Sequence, residues 1–178
     1  MEEIEMQYKI TFLDYWHLGS GTSAGAKLDS LVVKDETGLP YLPGKTLKGL
    51  LRDMVDEIDA SQIAKIFGSE GSDMSKNYFS NATLSSKTKE HLVKNRHLIK
   101  HLYASVTSTK IESQSGIAKE GTLREIEIVI PLTLYGEIEC SDKEEEKMLM
   151  NAMEMIKQIG LNRNRGLGRC QIERVEND

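Results

Sequence analysis

The sequence predicts an α+β fold of the ferredoxin-like kind: one domain over residues 1–178, with an inserted thumb-like or helical region at about 68–122. Three observations predict it. Residues near the start and again at 124–140 alternate apolar and polar side chains, the signature of half-buried strands. Residues 45–58 and 141–159 repeat apolar side chains every three to four positions, the signature of helices with one buried face. With the insertion set aside, the order is strand, helix, strand, strand, helix, strand, which is the split βαβ pattern.

The first strand covers Ile4 to Asp14, with Ile4, Met6, Tyr8, Ile10 and Phe12 on one side and Glu5, Gln7, Lys9 and Thr11 on the other. Gly19 to Gly25 reads as a glycine-rich turn. Lys27 to Lys34 is a short apolar run carrying one acid, Asp29, and Asp35 to Gly38 is a turn. Pro40, Pro43 and Gly44 then fix the direction in which the first helix begins. Its core face is Leu47, Leu50, Leu51, Met54, Val55 and Ile58. Ala60 to Phe67 is a second short helix or an extension of the first, and Tyr78 to Leu84 reads as a strand. Lys87 to His101 is strongly basic and reads as a helix. Val106 to Gly121 is polar and suits a protruding hairpin.

Arg124 to Cys140 reads as one long strand, with Pro131 marking an edge or a bulge. Ser141 is the expected cap of the second helix, with Glu144 at the capping-box position. Met148, Ala152, Met155, Ile156 and Ile159 form its expected buried face, and Gly160 its expected end. A last strand runs from about Leu167 to Val175.

Several function classes are disfavoured by the residues. The glycines at 19–25 satisfy neither the Walker spacing nor the dinucleotide fingerprint. His17, His91, His97 and His101 have no nearby cysteine, so zinc spacing is missing. No apolar run approaches the roughly 20 residues of a membrane span. Cys140 and Cys170 are the two cysteines. Together these lead us to expect reduced thiols, a cytoplasmic protein and no membrane partner. The formal net charge of −5 argues against an indiscriminate nucleic-acid coat but allows a local basic groove.

Two such basic places are legible. Gly160 to Arg169 carries three glycines and three arginines, Arg163, Arg165 and Arg169. Arginine offers planar, multi-donor contacts to phosphate, and glycine permits close backbone approach. Lys45, Lys48 and Arg52 gather near the start of the first helix, where an isolated helix would favour acids. Free N–H groups with lysines there suit a polyanion. The strand order is also that of the RNA-recognition motif, but the aromatic signature of a sheet-face RNA reader is missing.

The segment Leu39-Pro40-Tyr41-Leu42-Pro43-Gly44-Lys45-Thr46-Leu47-Lys48-Gly49-Leu50-Leu51-Arg52, taken with the Gly160–Arg169 loop, resembles the paired motifs of the repeat-associated RAMP superfamily. Phe67-Gly68 and Phe79-Ser80-Asn81-Ala82 resemble that family's intervening segment. Trp16-His17-Leu18-Gly19-Ser20-Gly21 and Leu28-Asp29-Ser30-Leu31-Val32-Val33-Lys34-Asp35 resemble the backbone subunit of type III CRISPR effector complexes. Ile111 to Ala118 resembles its thumb segment, with Ser113 where the family has arginine.

The resemblance implies a subunit that binds guide RNA and single-stranded target RNA beside other CRISPR effector subunits, copies or paralogues of itself among them. It implies target cleavage as a metal-dependent endoribonuclease, with Asp29 as the catalytic acid and Mg²⁺ or another divalent cation as cofactor. It places RNA contact on His17, and we assign Lys45, Lys48, Arg52, Arg163, Arg165 and Arg169 to phosphates of the guide. By spacing alone, Asp29 is a turn-capping or solvated acid and His17 a partly buried histidine. A non-catalytic RNA-binding assembly subunit is the alternative. A guide-processing ribonuclease is disfavoured, because that group carries two such domains.

Overall fold

Strand β1 (Ile4–Phe12) is the axis of the structure, a computed structural model that describes residues 4–23, 29–69, 73–74, 77–109, 111, 117 and 122–175. Its alternation is realised: Met6, Tyr8, Ile10 and Phe12 are buried, while Glu5, Gln7, Lys9 and Thr11 stand on the other face. It pairs antiparallel with β7 (Thr133–Cys140) on one side, with Met6 opposite Ile138 and Ile10 opposite Leu134. On the other side it pairs antiparallel with β8 (Cys170–Arg174), with Ile10 opposite Ile172. β4 (Tyr78–Phe79) adds outside β7, giving the order β4-β7-β1-β8. Taken in chain order these four strands follow the ferredoxin-like arrangement.

Helices α1 (Gly44–Asp59) and α4 (Lys143–Met155) pack against one another. Leu47, Leu51 and Val55 of α1 and Leu149, Ala152 and Met153 of α4 share one core with the inner face of β1, β7 and β8. Each fully buried aliphatic side chain contributes about 1.5–3 kcal/mol. The outer face of the sheet is polar. Glu5 lies opposite Glu139, Gln7 opposite Glu137, and Lys9 between Tyr135 and Glu173. Lys9 is ion-paired to Glu173 at 3.1 Å.

Several details depart from sequence expectation. The stretch 124–140 is two strands, not one. β6 (Arg124–Val129) pairs with β5 (Tyr103–Ser108) in a separate two-stranded sheet, and β7 returns to the central sheet. Pro131 sits between them, where its fixed φ and missing N–H interrupt a ladder. The cap of α4 is Asp142 rather than Ser141: its carboxylate accepts from the Glu144 and Glu145 amides, both at 2.9 Å. Glu145, not Glu144, reaches back, accepting from the Ser141 amide at 3.2 Å and from Asn77 Nδ2 at 3.0 Å. The helix ends at Met155, before Gly160, and Met155 faces solvent while Leu149 and Met153 take the core positions.

The basic stretch 87–101 is α3 (Ser86–Lys94) followed by a 3-10 segment, Arg96–Leu102. Between α1 and β4 lie α2 (Ile63–Phe67) and a short pairing of β2 (Gly68–Ser69) with β3 (Asp73–Met74). β4 lies within the 68–122 stretch yet belongs to the central sheet. Most of the hairpin connection at 106–121, the Ile111–Ala118 likeness included, and positions 24–28 of the glycine-rich turn lie outside the described residues. Cys140 and Cys170 are free and buried, and burial pushes both thiols up to about 12.

Candidate nucleic-acid interface

The loop after α4 is tied down at several points to the residues that follow β1. The Leu161 amide donates to the His17 carbonyl at 2.9 Å, and the Gly168 amide to the Tyr15 carbonyl at 2.8 Å. The Leu13 amide donates to the Arg169 carbonyl at 2.8 Å, and the Ile159 amide to the Gly168 carbonyl at 2.9 Å. Two glycines are required by this path. Gly160 has φ +101° and a Cβ there would run into the His17 carbonyl; Gly168 has φ +77° and a Cβ would run into the Ile159 carbonyl. Between them, Asn162 adopts the left-handed region at φ 57° and Arg163–Arg165 form one 3-10 turn. The loop is therefore a built structure, with its arginines carried on the outside.

That turn forms one wall of a groove of about 610 Å³, lined by Arg124, Gln158, Asn162, Arg163, Asn164 and Arg165 among others, with no acid in the lining. Arg124 begins β6 and faces the loop from the two-stranded sheet. None of Arg124, Arg163 and Arg165 has an ion-pair partner among the described residues. By contrast, Arg169 pairs with Asp14 at 3.0 Å and Arg174 with Glu146 at 2.8 Å. Arg169, expected with the other two from sequence, is thus already neutralised and does not line the groove.

His17 joins the loop to Asp29. The ring is 0% exposed. Its Nδ1 donates to the Glu127 carbonyl at 2.6 Å, the direction fixed because a carbonyl only accepts. Its Nε2 meets the Ser30 hydroxyl at 3.0 Å. The imidazole thus presents no atom to a surface ligand, and the structure places it as a tie between loop, β6 and the Asp29–Ser30 segment. Glu127 extends the tie: its carboxylate accepts from the Val32 amide at 3.0 Å and from Lys34 Nζ at 2.7 Å.

Asp29 is exposed. Its amide donates to the Glu125 carbonyl at 2.8 Å, and its Oδ2 accepts from the Glu125 amide at 2.8 Å. Ser30 continues with a parallel bridge to Ile126. Oδ1 has no hydrogen-bond partner among the described residues. Asp29 is therefore held at the start of β6, one residue along from Arg124, with one carboxylate oxygen open among the described residues.

The α1 lysines form a second, separate patch. Lys45 and Arg52 are exposed and Lys48 half-buried, and none of them lines the arginine groove. Burial, and then the Arg52 charge, hold the Lys48 ammonium below the ordinary lysine range, and its Nζ lies 5.5 Å from the centre of the Phe79 ring. The proline–glycine motif at the helix start is explained by packing. A Cβ at Gly44 would collide with the Phe79 carbonyl, and the Gly44 amide donates to Asn81 Oδ1 at 2.9 Å. The Thr46 amide turns back to the Pro43 carbonyl at 2.9 Å. Asn81 thus does for α1 what a side-chain cap would do, and fewer amides are left for an anion than the sequence suggested.

Arg124 is the groove residue that sequence reasoning missed. It follows a polar stretch and opens a strand, and no motif marks it. As for metals, the described residues include no group of three His, Cys, Asp or Glu side chains placed to share a cation. Asp29 offers one open carboxylate oxygen, which fits the way Mg²⁺ is often held, by one carboxylate with phosphate oxygens and water. No helix among the described residues is long and apolar enough to cross a membrane.

The fold and the groove define a ferredoxin-like protein with an arginine cluster that has no ion-pair partner among the described residues, joined through β6 to an exposed acid. The chain belongs to the RAMP superfamily, whose family model matches residues 9–171. Two solved chains share the fold. One comes from a cryo-EM structure of the type III-B Cmr-beta complex bound to cognate target RNA, with TM-score 0.75, 13% identity, and coverage of 96% of this chain and 97% of that one. The other comes from the apo state of type III-B Cmr-beta, with TM-score 0.75, 12% identity and coverage of 98% of each. No curated protein matches the chain by sequence.

Proposed function

We propose that this chain is an RNA-binding, backbone-type subunit of a type III CRISPR effector complex. It would lie along guide RNA, meet single-stranded target RNA, and neighbour other effector subunits, copies or paralogues of itself among them. The observation that carries the reading is the arginine groove joined through β6 to Asp29. Superfamily membership and the likeness to chains of an RNA-bound type III-B complex support it. The arginines position phosphate without reading bases, and base pairing with the guide supplies specificity.

In the catalytic form of this reading, Asp29 assists cleavage of the target. RNA carries its own nucleophile. A 2′-hydroxyl gives up its proton to the open Asp29 oxygen and bonds to the adjacent phosphorus. The 5′-oxygen leaves and takes up a proton from water to become a 5′-hydroxyl, a 2′,3′-cyclic phosphate remains, and Asp29 returns its proton to solvent. The arginines hold guide phosphates and so register the paired target strand against Asp29. Alternatively, the open Asp29 oxygen would hold a divalent cation such as Mg²⁺ with phosphate oxygens, and the cation would supply charge stabilisation there in place of proton transfer to Asp29.

One observation favours the non-catalytic alternative: Asp29 Oδ2 is already committed to the Glu125 amide. Two substitutions separate the readings, measured on labelled target RNA with the assembled complex, in Mg²⁺ and in chelator. Asp29→Asn keeps an acceptor for Glu125 and removes the charge; Asp29→Ala removes both. Regular cuts that disappear in Asp29→Asn while target binding persists support the nuclease. Cuts unchanged in Asp29→Asn, or no cuts in wild type with target bound, make the chain a scaffold.

A further inference from the structure

We infer that Arg124 is a third phosphate-binding arginine, holding the RNA phosphate that lies nearest Asp29. The inference rests on the RNA-binding reading above and adds to it a residue on a different element from the glycine-rich loop. Arg124, Arg163 and Arg165 converge on one groove from two parts of the chain far apart in sequence, and no acid lines it. Three guanidinium groups facing one space repel one another, and each lacks an ion-pair partner among the described residues. Arg169, just before β8, and Arg174, its last residue, are both paired. A phosphodiester supplies the missing negative charge, and the guanidinium fork matches its two free oxygens. Gln158, Asn162 and Asn164 add neutral donors and acceptors around it.

Arg124 differs from the loop arginines in where it is fixed. The next residue, Glu125, makes both backbone contacts that hold Asp29. A phosphate gripped by Arg124 is therefore registered against the acid by a single peptide unit, whereas one gripped by Arg163 or Arg165 is registered through the loop and His17. The phosphate belongs either to the guide or to the target, and the same chemistry serves both.

The test is the salt dependence of RNA binding by the full chain, read with a fluorescent single-stranded RNA, for wild type, Arg124→Ala, Arg163→Ala and Arg174→Ala. Each lost phosphate contact lowers the slope of log affinity against log salt by about 0.7. Arg124→Ala is expected to lose that amount, as Arg163→Ala does, while Arg174→Ala keeps the wild-type slope and Arg124→Lys restores it. A wild-type slope in Arg124→Ala beside a reduced slope in Arg163→Ala overturns the inference and leaves the RNA reading standing. No salt-dependent binding by wild type, alone or in the complex, overturns both. In the assembled complex, loss of guide retention by Arg124→Ala identifies the phosphate as the guide's. A defect seen only on adding target identifies it as the target's.

Discussion

Replacing Gly160 by alanine tests whether the loop is built as described. Two terms add. The backbone sits at φ +101°, and left-handed conformations cost a residue with a Cβ about 1–2 kcal/mol. The new Cβ also meets the His17 carbonyl, so the loop must move away and the Leu161 amide loses its bond to that oxygen, a further loss of about 1 kcal/mol. The expected destabilisation is about 2–3 kcal/mol, which for a domain of this size lowers Tm by roughly 5–10 °C. Gly166→Ala is the control: its φ is +82° but open space surrounds it, so only the first term applies. Thermal unfolding of the full chain, followed by circular dichroism, reads both. A Gly160→Ala midpoint within about 2 °C of wild type, or no lower than that of Gly166→Ala, would refute the packing of this loop on His17.

Two further outcomes follow from the same geometry. His17→Ala empties a buried site and strands the Glu127 carbonyl and the Ser30 hydroxyl; we expect about 3 kcal/mol of lost stability in urea unfolding, against about 1 kcal/mol for Ser30→Ala, with RNA affinity falling in the same order. Asp142 is held below the usual carboxylate range, first by its hydrogen bond from Lys65 and then by the capping amides, so the folded chain binds fewer protons there than the unfolded one. Its contribution is present above the ordinary carboxylate pKa and fades as pH falls below about 4. The stability gap between wild type and Asp142→Asn should accordingly be present at neutral pH and shrink in acid; a gap constant with pH in urea titrations would contradict this.

Much of the fold was legible because period is legible. β1 and most of the core face of α1 follow from alternation and the 3.6 repeat and are realised, with Leu47, Leu51 and Val55 buried and Leu50 and Met54 packed against the core, whereas Ile58 in the last turn is exposed. What failed were points decided by a single local competition. Pro131 was legible as an edge or a bulge, and only the pairing of β6 with β5 shows it to be a break between two strands. Ser141 and Asp142 are both good caps, and the phase that buries Leu149 and Met153 selects Asp142. The site was half legible. Glycines and arginines marked the loop, but which arginines are free depends on Asp14, which sequence could not place beside Arg169. His17 carried a motif, while its burial depends on partners more than a hundred residues away. Arg124 had no sequence signal, since its role arises from which strand it starts.

The pairing of β1 with β8 has a kinetic consequence. β8 must find the first strand across nearly the whole intervening chain, and contacts of such long range form slowly, since loop closure is unfavourable before they reward it. The glycine-rich loop is pinned just beyond where that pairing begins, through Leu13, Tyr15 and His17. Until β8 zips onto β1, Asp29 and β6 can be in place while two of the three groove arginines are not. A chain interrupted at that stage is expected to hold the acid without the grip, and the ability to retain RNA then arrives in one step with the final strand.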